Sequence, residues 1–370
     1  MHLRRRRQVT TAGLAVCVIA LAACSSSSSS SSSSSAPAAG SSSGSASASS
    51  SSGNLSGTLN GSGSTFQLVY QQTAIQSFKS VQPNMTVNYG GGGSGKGRTD
   101  LASGVVNFAG SDSPIPAAET ANFKGKTVLY FPVFLGPITV SYNLSGVSSL
   151  KLDATVLAEI FSGKITSWNN SAIAALNSGV SLPSTPITIA VRSDSSGTTQ
   201  NFSLYLEKAA ASAWTLGSSS TIKWPGTARA GNGNGGVAQI IKSTPGAIGY
   251  VDYADAKASG LTLASVKNSS GSYIAPSPSS ASAAGSGITV ATNLTFHAVD
   301  SPNPQAYPIT YQSWVLVYAT QPSANDAAML KAYIGYLLGS GQSLLDNLGY
   351  APLPSSLQQM AQAQLSMITS

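Results

Sequence analysis

Residues 85–113, MTVNYGGGGSGKGRTDLASGVVNFAGSDS, contain two apolar segments that each run directly into a cluster of glycine and hydroxyl residues. The apolar segments, 85–89 and 105–109, have the length and composition of buried β-strands. The clusters at 90–97 and 111–114 therefore follow strand ends. Because the carboxyl ends of parallel strands share one edge of a sheet, where ligands bind, this stretch predicts a sheet with a binding edge.

The alternation of strand-like and helix-like segments continues on both sides of this stretch. Apolar residues recur every three or four positions from Phe66 to Phe78, which predicts an amphipathic helix over 66–79. Further strands are predicted at 128–133, 138–142 and 187–191, and further helices at 154–161, 172–177, 199–211, 237–242 and 325–338. This alternation predicts an α/β fold, and a body of roughly 300 residues is long enough for two lobes.

Two more loops share the glycine and hydroxyl composition. Residues 61–65 precede the first predicted helix, and residues 193–198 precede the helix at 199–211. A helix N-terminus offers free N–H groups and a partial positive charge, and glycine lets the backbone approach a ligand closely. One such loop alone is typical of a turn with a Ser or Thr cap, whereas four of them favour an oxyanion site.

Three charged residues refine this prediction. The guanidinium fork of Arg192 matches two oxygens of a tetrahedral anion, and Asp194 could hold that fork in place; the alternative is a surface salt bridge. Asp112 would repel an anion unless the ligand brings a proton. Phosphate carries one at neutral pH and sulfate does not, so Asp112 predicts selection of phosphate over sulfate. The alternative is that Asp112 caps a helix before Pro114.

The N-terminal segment has the features of a lipoprotein signal peptide over residues 1–23. Four arginines at 4–7 precede a short apolar run at 9–23, and Cys24 stands where cleavage and lipidation are expected. Residues 24–56 are rich in serine and predict a disordered tether. The protein is therefore expected outside the cytoplasm, on the outer face of the cell membrane, held by a lipid on Cys24.

Composition excludes several functional classes. Loss of the four signal-peptide arginines lowers the formal charge from +7 to +3, and no Lys/Arg cluster remains for nucleic acid. With Cys17 removed and Cys24 lipidated, His297 is the last His or Cys side chain available, so no metal site, cofactor or catalytic residue is predicted. Residues 90–96 approach a P-loop, but Gly97 stands where magnesium binding needs Ser or Thr.

Seven short motifs occur in a fixed order along the body. They are GSGSTF at 61–66, NYGGGGS at 88–94, FAGSD at 108–112, FSGKITSWN at 161–169, RSDSSGT at 192–198, KWP at 223–225 and PGAIGYV at 245–251. As an ordered set, from about 58 to 355, the chain resembles the phosphate-binding protein of the bacterial high-affinity phosphate ABC importer.

The resemblance implies a type II periplasmic-binding-protein fold with a cleft between two lobes. Lobe I would comprise 57–142 and the return segment 307–370, and lobe II would comprise 143–306. Phosphate contacts are implied at the Thr65 hydroxyl, the Phe66 N–H, Ser94, Asp112, Arg192, Ser196, Gly197 and Thr198. The implied partners are inorganic phosphate and the membrane permease subunits of the importer, and a monomer is expected.

Some positions depart from the family pattern. Gln67 replaces a frequent proline, Gly95 replaces a frequent second serine, and Lys96 and Arg98 are additional charges. We hypothesise that these two cations steer anions to the cleft. Three alternatives remain open: a binding protein for another oxyanion such as sulfate or molybdate, a surface lipoprotein that senses phosphate, and, least favoured, a secreted phosphatase.

Overall fold

The computed structural model describes residues 55–370. The predicted signal peptide of residues 1–23, Cys24 and the tether up to residue 54 lie outside the described residues. In the part of the chain that is described, no helix combines the length and the apolar character that crossing a bilayer requires.

Within residues 55–370, strands and helices alternate along the chain, as the apolar periodicity predicts. The strands are β1 Gly57–Gly63, β2 Met85–Gly90, β3 Phe108–Ser111, β4 Val128–Tyr142, β5 Lys151–Leu152, β6 Thr188–Arg192, β7 Arg229–Gly231, β8 Ala247–Asp252, β9 Thr262–Leu263, β10 Ser265–Lys267, β11 Tyr273–Ile274 and β12 Thr310–Tyr318. The α-helices are α1 Leu68–Phe78, α2 Ser94–Ala102, α3 Ala154–Phe161, α4 Ser171–Leu176, α5 Gly197–Ala209, α6 Gly233–Ser243, α7 Tyr253–Ala258, α8 Pro278–Ala284, α9 Ala324–Leu338 and α10 Ser355–Gln364. Short 3₁₀-helices span Ala117–Phe123, Ser340–Leu344, Asp346–Leu348 and Leu365–Met367.

One continuous sheet organises the molecule, in the order β2-β1-β3-β12-β4-β8-β6-β7, with β9 also paired to β4. β1 runs parallel to β2 and β3, and β6 runs parallel to β7 and β8. The antiparallel strands β4 and β12 join these two parallel groups. We call β2, β1, β3, β12 and residues 128–137 the first half-sheet, and residues 138–142 with β8, β9, β6 and β7 the second half-sheet.

The long strand β4 passes from one half-sheet to the other. Its residues 128–137 pair with β12, and its residues 138–142 pair with β8. The sequence predicted two separate strands here, at 128–133 and 138–142, whereas the structure has one strand that contains Pro132 and Pro137. Pro132 lies beside the register shift of β12 at Ser313, and Pro137 lies at the change of partner. A strand tolerates a residue without an N–H donor at both kinds of position, so β4 continues through them. The lobe boundaries at 142–143 and 306–307 stay predictions.

Several elements were not predicted from the sequence. The sequence analysis did not predict the strands β1, β5 and β7 to β12 or the helices α2, α7, α8 and α10. Helix α2 contains two glycines, which lower its intrinsic helix propensity. Packing explains α2, because Gly97 brings it against β1. A Cβ at Gly97 would come within 2.7 Å of the Gly63 Cα atom.

An aromatic cluster under the loop at 61–65 fixes the position of that loop. The Phe66 ring stacks on Tyr311 with 4.0 Å between centroids, and both side chains are fully buried. The Tyr350 hydroxyl donates to the Phe66 carbonyl at 2.8 Å. Burial of one large side chain contributes about 1.5–3 kcal/mol, so the chain is held firmly where it leaves β1.

Candidate functional site

The site centres on Asp112, which follows the last residue of β3 and is 1% exposed. The Ser64 hydroxyl lies 2.7 Å from both carboxylate oxygens and donates its one proton to either of them, and the Ser313 hydroxyl donates to Oδ1. Ser94 donates to Oδ2 at 3.2 Å. An ionised carboxylate has about four lone-pair sites, so three hydroxyl donors leave Asp112 able to accept a further proton donor. No helix begins at Asp112, so the alternative that it caps a helix is wrong.

The protonation of Asp112 is poised near neutrality. Burial raises the pKa of Asp112 to about 6, although the hydrogen bonds from Ser313, Ser64 and Ser94 and the charge of Arg192 each lower it. Desolvation therefore dominates over four stabilising partners. A carboxylate of this kind is mostly ionised at pH 7 and can accept a proton that a ligand brings.

Gln67 supports this carboxylate through Ser313. Its side-chain amide is fully buried and donates to Ser313 Oγ at 2.7 Å and to the Trp314 carbonyl at 2.8 Å. Because Ser313 Oγ accepts from Gln67, its own proton is directed to Asp112. Gln67 thus orients Ser313 as a fixed hydrogen-bond donor to Asp112.

Arg192 ends β6 and is held by Asp194. Its Nε donates to Asp194 Oδ1 at 2.8 Å, a second nitrogen donates to Asp194 Oδ2, and Nη1 reaches Thr198 Oγ1 at 3.3 Å. Burial alone would raise the pKa of Asp194, but the hydrogen bonds and charge of Arg192 lower it. Both side chains are largely buried, so the alternative of a surface salt bridge is wrong.

The first turn of α5 carries Ser196, Gly197 and Thr198. Ser196 caps the helix by accepting the Thr199 N–H at 3.1 Å, which leaves its hydroxyl proton free to donate. Gly197 packs directly on Asp112: a Cβ at this position would lie 2.5 Å from Ser94 Oγ and 2.7 Å from Asp112 Oδ2. The N-terminus of α5 therefore faces the Asp112 carboxylate across the two half-sheets.

Thr65 and Phe66 are neighbours in the chain but make hydrogen bonds in different parts of the site. The Thr65 hydroxyl accepts hydrogen bonds from the backbone and the side chain of Asn234 at 3.3 and 3.2 Å. The Phe66 N–H donates to Ser64 Oγ at 3.1 Å, beside Asp112. Ser94 begins α2, and its hydroxyl also accepts the Asp112 N–H at 3.1 Å.

The eight predicted phosphate contacts and Asp194 thus lie along one buried boundary between the half-sheets, where Gly95 meets Ser195 and Gly197 meets Asp112; we call this boundary the seam. Direct contacts close this seam: Gly95 N–H donates to the Ser195 carbonyl at 3.0 Å, and the Asn201 amide donates to the Asp112 carbonyl at 2.7 Å. The four loops identified from composition are those that meet here. Their convergence follows from the parallel pairing of β1, β2 and β3 and of β6 with its neighbours.

Sequence reasoning missed Ser64, Ser313 and Asn234. Ser64 lies inside the loop at 61–65 but was not singled out among its hydroxyls. Ser313 lies in β12, 201 residues from Asp112, and its local sequence carries no signal. Asn234 lies in the run Gly231-Asn232-Gly233-Asn234-Gly235-Gly236, which spans the start of α6. The run shares the glycines of the four loops but carries amides in place of hydroxyls, so a rule that included asparagine could have found it.

The hypothesis that Arg98 steers anions is wrong. The Arg98 side chain is buried, donates to both carboxylate oxygens of Glu119 at 2.6 and 2.9 Å, and reaches the hydroxyls of Ser111 and Ser113 at 3.3 and 3.1 Å. It therefore braces the two neighbours of Asp112. Lys96 is half exposed and pairs with Asp100 one helical turn on; steering by Lys96 stays a prediction.

The site offers many hydrogen-bond donors, one cation, Arg192, and one acceptor, Asp112, whose protonation changes near neutral pH. Hydroxyls, helix N-termini and a guanidinium suit a tetrahedral oxyanion, and Asp112 suits one that carries a proton. Across residues 55–370, no group of three or more His, Cys, Asp or Glu side chains is arranged to hold a metal ion.

The chain is similar to known proteins over most of its length. Residues 37–340 match the family model of the PBP superfamily domain, which begins within the predicted tether. Phosphate-binding protein PstS 3 of Mycobacterium leprae (strain TN) is 37% identical over 311 residues, covering 81% of this chain and 84% of that protein. Phosphate-binding protein PstS of Pasteurella multocida (strain Pm70) is 34% identical over 316 residues, covering 83% and 89%. A solved structure, the high-affinity periplasmic phosphate-binding protein PfluDING bound with phosphate, shares the fold with a TM-score of 0.68 at 22% identity, over 83% of this chain and 94% of that one.

The shared strands of the sheet and the buried polar seam between its halves define an α/β solute-binding protein, and the predicted periplasmic-binding-protein fold is confirmed. The chain belongs to the PBP superfamily and, within it, to the PstS family of phosphate-binding proteins. This is a family of binding proteins and not of enzymes, so the prediction that the chain is not an enzyme is also confirmed.

Proposed function

We propose that this protein binds inorganic phosphate outside the cytoplasm and delivers it to the membrane permease subunits of an ABC importer. The observation that carries this proposal is the Asp112 carboxylate, 1% exposed and held by three hydroxyls opposite the first turn of α5. A buried acceptor among donors fits an oxyanion that brings its own proton. The names of the relatives in Mycobacterium leprae and Pasteurella multocida support the same ligand.

The proposed phosphate contacts combine both half-sheets. Thr65, Phe66, Ser94 and Asp112 act from the first, and Arg192, Ser196, Gly197 and Thr198 act from the second, with Asp194 holding Arg192. Arg192 supplies the full positive charge, whereas the hydroxyls and N–H groups supply neutral donors. Hydrogen bonds to a charged group contribute about 1.5–3 kcal/mol each, so several of them suffice for tight binding.

Capture and release would require the seam to open and close. The lobes would be residues 57–142 with 307–370, and residues 143–306, joined by the crossing strands. The contact of Gly95 with Ser195 and the packing of Gly197 on Asp112 support the interpretation that the described conformation is the closed one. Closure around the ligand would then present a distinct surface to the permease.

Calorimetry tests the ligand. The purified protein is unfolded, stripped of bound ligand, refolded and titrated with phosphate, arsenate and sulfate at pH 7. Phosphate and arsenate, which carry a proton at this pH, should bind with similar affinity, and sulfate should bind far more weakly. Tighter binding of sulfate than of phosphate would refute the proposal and favour a transporter component for another oxyanion.

We also propose that a lipid on Cys24 anchors the monomer to the outer face of the cell membrane. Mass spectrometry of the protein from its native membrane should find the mature N-terminus at Cys24 with added acyl chains. The Cys24→Ala variant should lack the lipid and leave the membrane fraction. Retention of that variant in the membrane would disprove anchoring through Cys24.

A further inference from the structure

A side chain outside the proposed ligand set joins the two threonines of the site. Asn234, the second residue of α6, is fully buried, and its amide nitrogen lies 3.2 Å from Thr65 Oγ1 and 3.5 Å from Thr198 Oγ1. Thr65 belongs to the first half-sheet side of the seam, and Thr198 to the second. Asn234 is therefore positioned to act on one hydroxyl from each side.

The hydrogen bonds decide where the hydroxyl protons point. Thr65 Oγ1 accepts from both the backbone and the side chain of Asn234, and Thr198 Oγ1 accepts from Arg192 and Asn234. A hydroxyl has two acceptor lone pairs and one proton. With both lone pairs facing nitrogen donors, each threonine can use its proton only toward a further acceptor. For Thr198 that acceptor is either the Tyr311 hydroxyl oxygen, 3.5 Å away, or an anion oxygen, and for Thr65 it is an anion oxygen.

The orientation of the Asn234 side-chain amide follows from the same comparison of hydrogen-bond donors and acceptors. In the orientation described, the Asn234 Oδ1 atom is buried with no partner among residues 55–370. If the amide were turned over, both of its N–H donors would lose these partners, and the threonine protons would be spent on Oδ1. The backbone N–H of Asn234 also donates to Thr65, and it does so in either orientation. One orphaned oxygen in the core lowers stability, so stability alone does not explain Asn234.

We infer that Asn234 is a positioning residue that turns the Thr65 and Thr198 hydroxyls into donors for the bound anion when the seam closes. The bonds of 3.2–3.5 Å are long, so their contribution is orientation more than cohesion. The contact with Thr65 also lies on a cavity of about 410 Å³ that spans the seam and is lined by Lys96 on one side and Asn232 on the other. Opening of the seam would break this contact before the anion leaves.

This inference rests on the proposed phosphate function and makes a kinetic prediction. Because Asn234 meets Thr65 only across the closed seam, its loss should act on release and not on capture. Asn234→Ala should raise the phosphate dissociation rate about tenfold or more and change the association rate less than about twofold. Asn234→Asp keeps the shape but replaces two donors by acceptors, so it should weaken phosphate binding at least about tenfold beyond Asn234→Ala.

Asn232 provides a matched control two residues away. It is exposed, precedes α6 and makes no side-chain capping bond. Asn232→Ala and Asn232→Asp repeat the same chemical changes, including the added negative charge, without touching either threonine. Both control variants should keep the phosphate affinity within about twofold of the unmutated protein.

Stopped-flow fluorescence and calorimetry with inorganic phosphate measure these constants on the full chain, and thermal unfolding without ligand reports folding. A Thr65→Val background isolates the mechanism, because Asn234→Ala should lose much of its effect once the Thr65 hydroxyl is gone.

Equal dissociation rates for Asn234→Ala and the unmutated protein would overturn the inference alone. Equal phosphate affinities for Asn234→Asp and Asn234→Ala would also overturn it. So would an effect of Asn234→Ala on the dissociation rate that is the same with and without the Thr65→Val substitution. If Asn234→Ala unfolds, the comparison of Asn234→Asp with Asn232→Asp decides. Failure of the unmutated protein to bind phosphate would overturn the proposed function as well.

Discussion

Replacement of Asp112 by asparagine tests the basis of ligand selection. The amide keeps the shape of the carboxyl group but never carries a negative charge. For phosphate, Asp112→Asn removes a charged acceptor for the ligand's proton, a hydrogen bond of about 1.5–3 kcal/mol. At about 1.4 kcal/mol per factor of ten, phosphate should bind roughly 10 to 150 times more weakly at pH 7.

For sulfate the same variant should improve binding, and the magnitude follows from the pKa of about 6 for Asp112. At pH 7 about one site in eleven carries a protonated Asp112 that tolerates a fully ionised anion, and at pH 5 about ten in eleven do. The variant should therefore bind sulfate about tenfold more tightly than the unmutated protein at pH 7, and about equally at pH 5.

Calorimetric titrations with both anions from pH 5 to pH 8 measure these ratios. Asp153→Asn is the matched control, because Asp153 caps α3 and asparagine is an equally good cap. It should leave both affinities unchanged. An unchanged ratio of phosphate to sulfate affinity in Asp112→Asn would show that selection does not depend on the carboxylate.

Three further outcomes are expected. Burial in the closed conformation raises the pKa of Asp112 to about 6, so ionisation of Asp112 lowers the free energy of unfolding of that conformation. This loss is absent below the usual pKa of 3.8, grows as pH rises, and is complete above about pH 6 at about 3 kcal/mol. Chemical denaturation from pH 3.5 to 7 should show this loss, and Asp112→Asn should lack it. Gly197→Ala places a Cβ within 2.7 Å of Asp112 and should abolish tight phosphate binding in calorimetry, whereas Gly226→Ala, with no atom within 4 Å of the new Cβ, should not. Arg98→Met leaves the half-buried Glu119 without its cationic partner and should lower the free energy of unfolding by about 3 kcal/mol. The double variant Arg98→Met with Glu119→Gln should recover part of that loss in chemical denaturation. If the double variant recovers nothing, the pairing of Arg98 with Glu119 does not stabilise the protein as described.

Much of the fold was predictable because its signals are local. The apolar periodicity of 66–79 and the strand at 85–89 correspond to α1 and β2 within a few residues. Strand β1 was missed because Thr58, Asn60 and Ser62 alternate along it, so its composition is that of a loop. Its strand conformation depends on pairing with β2 and β3, which no local pattern reports.

The functional site was likewise predictable from the sequence only in part. Glycine and hydroxyl loops at strand ends, Arg192 beside Asp194, and Asp112 after β3 are visible in the chain as composition and spacing. The donors that tune Asp112 are not, because Ser313 reaches it from β12 beside a register shift, where Trp314 pairs with Ser111. The opposite error occurred at Arg98, which charge alone assigned to the surface and which Glu119 holds in the interior.

The sequence by itself determined the α/β alternation, the four candidate anion loops and the ordered motifs of the PstS family, because each is encoded by neighbouring residues. Only the tertiary structure decided that the Thr65 hydroxyl meets Asn234 across the seam, that Gln67 and Ser313 hold Asp112, and that Arg98 is a buried brace. The physical reason is that proton positions and pKa values depend on desolvation and on partners brought from distant parts of the chain. Those partners exist only once the two half-sheets have packed together.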